Sequence, residues 1–144
     1  MEDLKKFMIK NNNIGELIRN EAEEFAKKLS NDFLIVTRRG RPENEKKVNS
    51  TSQMRSFYDS LFSYYNKIVN SNDKESTFKT LLPSIYLVAS RVAYANGKKN
   101  AGNIFTEFMV KNISSIETLE DFDSFLKFFE AILGYYKFLN PNIN

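Results

Sequence analysis

Phe122–Leu139 reads FDSFLKFFEAILGYYKFL, and the fold follows from it. Phe122, Phe125, Leu126, Phe129, Ile132, Leu133, Tyr136 and Leu139 recur at spacings of three and four, the period of one helix face. Phe128, Tyr135 and Phe138 load the neighbouring faces. A helix that is apolar nearly all round is expected to be central, with other elements packed on several sides. Each buried aromatic contributes about 1.5–3 kcal/mol of transfer free energy, so this one element supplies a large share of the driving force. Ala131 and Gly134 form a small-residue patch. Glycine costs about 1 kcal/mol of helix propensity against alanine, so the close approach of another helix is the expected compensation at Gly134.

Upstream, Thr118 can cap this helix, and Glu120, Asp121 and Asp123 fill its first turn, where negative charge complements the helix dipole. Asp121 and Asp123 have the chemistry of metal ligands, but no glycine turn or distal bidentate glutamate completes a calcium loop, and the cap is the preferred reading. A short helix is expected over Ala101–Asn112, burying Ile104, Phe105, Phe108 and Met109. Phe78, Leu81, Leu82, Ile85, Val88, Ala89 and Val92 mark a longer one. Pro83 is expected in its first turn, with a kink as the alternative. Asn96-Gly97 ends it, Gly97 supplying the left-handed residue, and Lys98 and Lys99 lie beside the negative helix end.

Ser50 and Gln53 read as a capping box opening a helix through Met54, Phe57, Leu61, Tyr64, Tyr65 and Ile68 to about Asn70. Ile14, Leu17, Ile18, Ala22, Phe25 and Leu29 share one face of an amphipathic helix. Phe33 and Val36 keep its period, so it is expected to run to about Thr37. The β-prone run Phe33-Leu34-Ile35-Val36 suits a strand as well, but no partner strand is evident. Met1–Lys10 reads as a short helix broken by Asn11–Asn13, and Arg38–Asn49, with Gly40, Pro42 and dense charge, as a loop. The expected fold is all-α, a compact bundle of about five helices. It is expected to be a single domain, residues 1–144, with a short N-terminal extension (1–13) and a basic loop (38–49).

The chain contains no cysteine and no histidine. Disulfides, thiolate metal sites, zinc fingers and the Ser–His–Asp and Cys–His systems are therefore excluded. No nucleophile–base pair, phosphate-cradling glycine loop or metal cluster is present in the pattern, so no catalytic residue, metal or cofactor is expected. Asp59 and Arg55 read as a helix-surface ion pair. The N-terminus MEDLKKFMIKNNN lacks an apolar signal region, and no uncharged apolar run reaches about 18 residues. A cytoplasmic protein with no membrane contact is expected.

Net charge is +3, and the cations are unevenly placed. Arg38, Arg39, Arg41, Lys46 and Lys47 stand against Glu43 and Glu45 in one segment, while Arg91, Lys98 and Lys99 form a second group without acids. Ser84, Leu87, Arg91, Tyr94 and Lys98 step along one helix face. A guanidinium, a phenol and an ammonium in a row suit a phosphate backbone with a base or sugar against the ring. The alternatives are a solvated helix edge with Tyr94 half-buried, and solvated charge keeping the 38–49 segment extended.

Three segments together resemble the small subunit of the type III-A CRISPR–Csm effector complex: TSQMRSFYDSLF (Thr51–Phe62), LLPSIYLVASRVAYANGKK (Leu81–Lys99) and FLKFFEAILGYYKFL (Phe125–Leu139). Their order and spacing agree with that family over about Ile14–Leu139. The resemblance implies a small helical protein without catalytic activity. Several copies would line up beside the backbone subunits, with the large subunit in the same complex, and help to hold guide RNA and target RNA in antiviral defence. It places Arg55, Arg91, Lys98, Lys99 and Lys137 at motif positions able to face RNA; Tyr94 and the segment residues Arg38, Arg39 and Arg41 are RNA-binding candidates on their own chemistry. Two departures stand out. The Arg38–Asn49 segment is longer than expected between the first two helices, and Tyr136 occupies a position where a histidine is expected. The rival reading is a helical protein–protein adaptor without a nucleic-acid role.

Overall fold

Five helices and one β-hairpin make up the fold in a computed structural model that describes residues 4–11, 13–38 and 41–143, with backbone alone for 11, 33–38 and 41–47. Helix α1 is α-helical over Ile14–Glu16, π-helical over Leu17–Glu21 and α-helical again over Ala22–Ser30. The strands β1 (Phe33–Arg38) and β2 (Arg41–Lys47) follow, then α2 (Thr51–Val69), α3 (Lys74–Gly97), α4 (Asn103–Ser114) and α5 (Leu119–Leu139). The class is all-α, as the helical periods predict, with the hairpin appended.

Helix α5 packs mainly on α1 and α2, while α3 packs on α2 and α4. Phe122, Phe125, Phe128, Phe129, Ile132 and Tyr136 are fully buried. Aromatic rings run through the centre in tilted and edge-on contacts, from Phe7 to Phe25 (4.8 Å), Phe108 (4.3 Å from Phe25) and Phe128 (5.8 Å from Phe108). One face of α5 is nonetheless open. Phe138 is 75% exposed and Tyr135 37%. A Cβ built on Gly134 would meet nothing within 4 Å, so no described residue makes the close approach expected there. Ala131, Gly134, Tyr135 and Phe138 instead line an open apolar groove of about 400 Å³.

The expected continuation of α1 to Thr37 is wrong, because the chain turns at Asn31. The cause is Asp32. Its carboxylate, 3% exposed, accepts from the backbone N–H groups of Ile104 (3.2 Å) and Phe105 (3.0 Å) and from the Asn49 amide (2.8 Å). Gly102, the N-cap residue of α4, has no side chain to satisfy those donors, so Asp32 caps that helix from a distance in sequence. Beyond it the β-prone run is a strand, and its partner lies inside the segment expected to be a loop. The two strands pair antiparallel, with Phe33 opposite Lys47, Leu34 opposite Lys46, Ile35 opposite Glu45 and Val36 opposite Asn44; the register shifts before Thr37 pairs with Pro42.

Four further expectations are corrected. Helix α3 starts at Lys74, not Pro83: Asp73 accepts from the Ser76 N–H (3.1 Å), and Phe78 packs near Phe122 (6.5 Å). That cap and that burial outweigh the roughly 3 kcal/mol cost of an internal proline. At its other end the left-handed residue is Lys99 (φ 64°) rather than Gly97. The Asn100 N–H reaches the Ala95 carbonyl and the Lys99 N–H the Asn96 carbonyl, each at 2.9 Å, which is the Schellman pattern with lysine in the usual glycine position. Helix α4 begins at Asn103 instead of Ala101. The N-terminal residues form two 3-10 turns, Lys5–Phe7 and Ile9–Asn11, in place of a helix. Asn112 holds them there, accepting from the Ile9 N–H (3.0 Å) and donating to the Phe7 carbonyl (3.3 Å).

The capping expectations fare better. Thr118 and Asp121 form a complete capping box. Ser50 accepts from the Gln53 N–H at 3.2 Å, which is half of one.

Candidate nucleic-acid interface

Helix α3 turns buried Ile85, Val88, Val92 and Ala95 towards the core. Its 3.6-residue period then places Leu87, Arg91, Tyr94 and Lys98 together on the outside, with Ser84 half-buried at the edge. Tyr94 is 68% exposed and Leu87 62%, so the alternative of a half-buried Tyr94 does not hold. The Lys98 ammonium stands 5.8 Å from the centroid of the Tyr94 ring. Arg91 Nη1 reaches only a long contact, 3.4 Å, with the Ser60 hydroxyl of α2. Among the described side chains no carboxylate lies within ion-pair distance of Arg91, Lys98 or Lys99.

Arg55 and Lys137 are engaged elsewhere. Arg55 Nε lies 3.7 Å from Asp59, the ion pair expected from the sequence, and its guanidinium sits 5.1 Å from the Tyr58 ring centroid. Tyr58 in turn meets Phe129 edge-on, so Arg55 belongs to the flank of α2 nearest α5, whereas Ser60 and Arg91 mark the flank nearest α3. Lys137, near the end of α5, donates to the Pro141 carbonyl at 3.0 Å. The structure thus gathers Arg91, Tyr94, Lys98 and Lys99 and leaves Arg55 and Lys137 outside that group.

Arg38 and Arg41 stand opposite each other in the hairpin register, and Arg39 lies outside the described residues. The base of the hairpin is fixed to the α3–α4 turn. The Asn49 N–H donates to the Asn100 carbonyl (3.2 Å), and the Gly102 N–H donates to the Asn49 side-chain oxygen (2.9 Å). The hairpin therefore departs from the same end of the bundle that carries Lys98 and Lys99. Sequence reasoning missed Asp32 and Asn49, which set this placement. The one local signal was a helix start at Gly102 with no capping side chain of its own.

Tyr136, fully buried in α5, lies beneath that base, with its hydroxyl 3.5 Å from the Val48 carbonyl. Burial, helped by the nearby Asp32 charge, pushes its phenol up to about 12. The acidic residues at the start of α5 are used structurally. Burial alone would raise the Asp121 carboxyl, but the Lys10 ammonium (2.6 Å) and the N–H groups of Glu117 and Thr118 hold it below the ordinary range. Asp123 accepts from the Tyr65 hydroxyl (2.7 Å) and pairs with Lys127 (2.9 Å). Among the described residues no group of three metal-ligating side chains forms, and no helix is long and apolar enough to cross a membrane.

The helical period, the three motif segments and the exposed α3 face can be set against known proteins. No curated protein and no solved structure matches the chain. The family model for Csm2 type III-A matches residues 12–142, which takes in all five helices and the hairpin. The chain belongs to the Csm2 type III-A family, the small subunit of the type III-A Csm complex.

Proposed function

We propose that this subunit is a non-catalytic, RNA-binding scaffold that works as one helical domain in the cytoplasm. It holds guide RNA and target RNA within the type III-A ribonucleoprotein, beside the backbone subunits, the large subunit and further copies of itself. The observation that carries the reading is the clustering of Arg91, Lys98 and Lys99 beside an exposed Tyr94 on one outer face, with no carboxylate within ion-pair distance among the described side chains, whereas Lys6, Lys10, Arg55, Lys111 and Lys127 each have one. A complex that must accept whatever target its guide specifies cannot depend on particular bases. Cations contact phosphates, which position a strand without reading it, and a tyrosine ring gives any base or sugar a surface. Arg38 and Arg41 belong to the hairpin that leaves from the same end, and with Arg39 they are further candidate RNA contacts. Arg55 and Lys137 contribute less, since each already has an internal partner.

Arg91→Glu with Lys98→Glu tests this in the assembled complex. RNA affinity should fall by a similar factor for unrelated sequences, and the log–log salt slope should flatten by roughly 0.7 for each single-strand phosphate that the variant no longer neutralises. Unchanged affinity would make the stripe an ordinary solvated edge, and a weakening confined to one sequence would refute backbone holding. The adaptor reading has its own support in the open groove of Ala131, Gly134, Tyr135 and Phe138, a surface suited to another subunit. Binding through that groove would show little salt dependence.

A further inference from the structure

Among the described residues the sheet contains β1 and β2 alone, and the hairpin packs on itself far more than on any helix. Each strand therefore keeps one unpaired edge, and the two edges differ. β2 carries Arg41, Pro42, Glu43, Glu45, Lys46 and Lys47, and the register shift falls where Pro42 pairs. Proline, charge and bulges are the devices that guard a sheet edge against pairing. β1 has neither charge nor proline from Phe33 to Thr37.

The geometry points to β1 as a docking edge for β1 of a second copy. The two would join antiparallel about a two-fold axis into a four-stranded sheet, ordered β2–β1–β1–β2. Pairing centred on Ile35 sets Phe33 opposite Thr37 of the second copy, Leu34 opposite Val36, and Ile35 opposite its equivalent. Every pair is apolar or β-branched, the kind that stabilises an antiparallel ladder, and no like charges meet. The same operation on β2, centred on Asn44, sets Glu43 against Glu45 and Arg41 against Lys47, both repulsive. A nucleic acid suits β1 poorly, because the strand offers no cation before Arg38. A lone two-stranded hairpin is marginal in water, and pairing two of them supplies the missing strands within a closed, isologous contact. This inference is independent of the RNA reading, and its dimerisation tests use the RNA-free chain.

The chain has no cysteine, so one introduced thiol reports on its own surroundings. Opposed residues in an antiparallel ladder have Cα atoms about 4.5–5.5 Å apart, within disulfide reach. With diamide as oxidant, the RNA-free full chain bearing Ile35→Cys should become a linked dimer, while Glu45→Cys on β2 should stay single. In sedimentation velocity the mass of the parent chain should rise to two copies with concentration. Ile35→Lys should hold it at one, with helicity unchanged. A parent chain that stays single at millimolar concentration overturns the inference. So does a dimer that survives Ile35→Lys, or cross-linking of Glu45→Cys as readily as Ile35→Cys. If Ile35→Lys weakens RNA binding in a chain that never dimerises, the edge serves nucleic acid and the second copy is the wrong occupant.

Discussion

Removing the Asp32 carboxylate tests how one residue joins the hairpin, α1 and α4. The carboxylate is 3% exposed and accepts from Ile104 N (3.2 Å), Phe105 N (3.0 Å) and Asn49 Nδ2 (2.8 Å). Hydrogen bonds to a charged group contribute about 1.5–3 kcal/mol each, and replacing a helix cap by alanine costs about 0.5–2. These contributions overlap, and Asp32→Ala should cost about 3 kcal/mol, or roughly 6–12 °C of Tm at about 2–4 °C per kcal/mol. Gly102 supplies the control. A Cβ there would overlap the Asp32 carboxylate, so Gly102→Ala displaces the same cap and should cost nearly as much. With Asp32 already alanine the overlap is gone, and Gly102→Ala should then cost little. Urea unfolding followed by circular dichroism on the two single variants and the double would show strong coupling, with the double close to Asp32→Ala alone. Additive costs, or a loss below about 1 kcal/mol for Asp32→Ala, would refute the cap.

Lys99→Gly should stabilise the chain by about 0.5–1 kcal/mol, because a lysine in the left-handed region carries about 1–2 kcal/mol of strain, partly offset by the greater chain entropy of glycine; thermal melting should show this while RNA affinity falls. Tyr136 favours its neutral form in the fold, so its stabilisation is full below pH 10 and is lost as pH rises through about 12. Alkaline unfolding over that window should be shallower in Tyr136→Phe, and equal steepness would sink the assignment. Purified protein with divalent metal should leave single-stranded RNA and guide–target duplex intact; cleavage that co-purifies with the chain and vanishes in Asp121→Asn would overturn the non-catalytic reading.

The helices were legible because their burial is periodic. Phe122, Phe125, Phe129, Ile132 and Tyr136 are buried where the spacing puts them. The hairpin was not, for two reasons. Its β1 run also fits the helical period of α1, and its partner strand is so polar that it resembles a loop. The choice was made by Asp32 acting on α4, and no pattern within a few residues of Asp32 records that. Pro83 and Gly97 mislead similarly, since the local rules for proline and glycine yielded to the Asp73 cap and to the Schellman turn at Lys99. For the candidate interface, helical spacing was enough to place Leu87, Arg91, Tyr94 and Lys98 on one face. Their freedom from carboxylates depends on how the helices pack, and so required the structure.

Helix α5 is the centre of the core and also the last of the five described helices. During synthesis, the apolar face of α1 around Phe25 and Leu29 must therefore wait for its principal partner until Leu119–Leu139 has left the ribosome. At about 5–20 residues per second, the 21 residues of α5 take about one to four seconds to make. We expect ribosome-bound chains halted before Leu119 to be readily digested by added protease, and chains halted well beyond Leu139 to resist it. Equal resistance at both points would mean that the first four helices fold without the fifth. If digestion differs as expected, the apolar face of α1 stays accessible to chaperones for those seconds, and assembly into the ribonucleoprotein begins only after translation has passed α5.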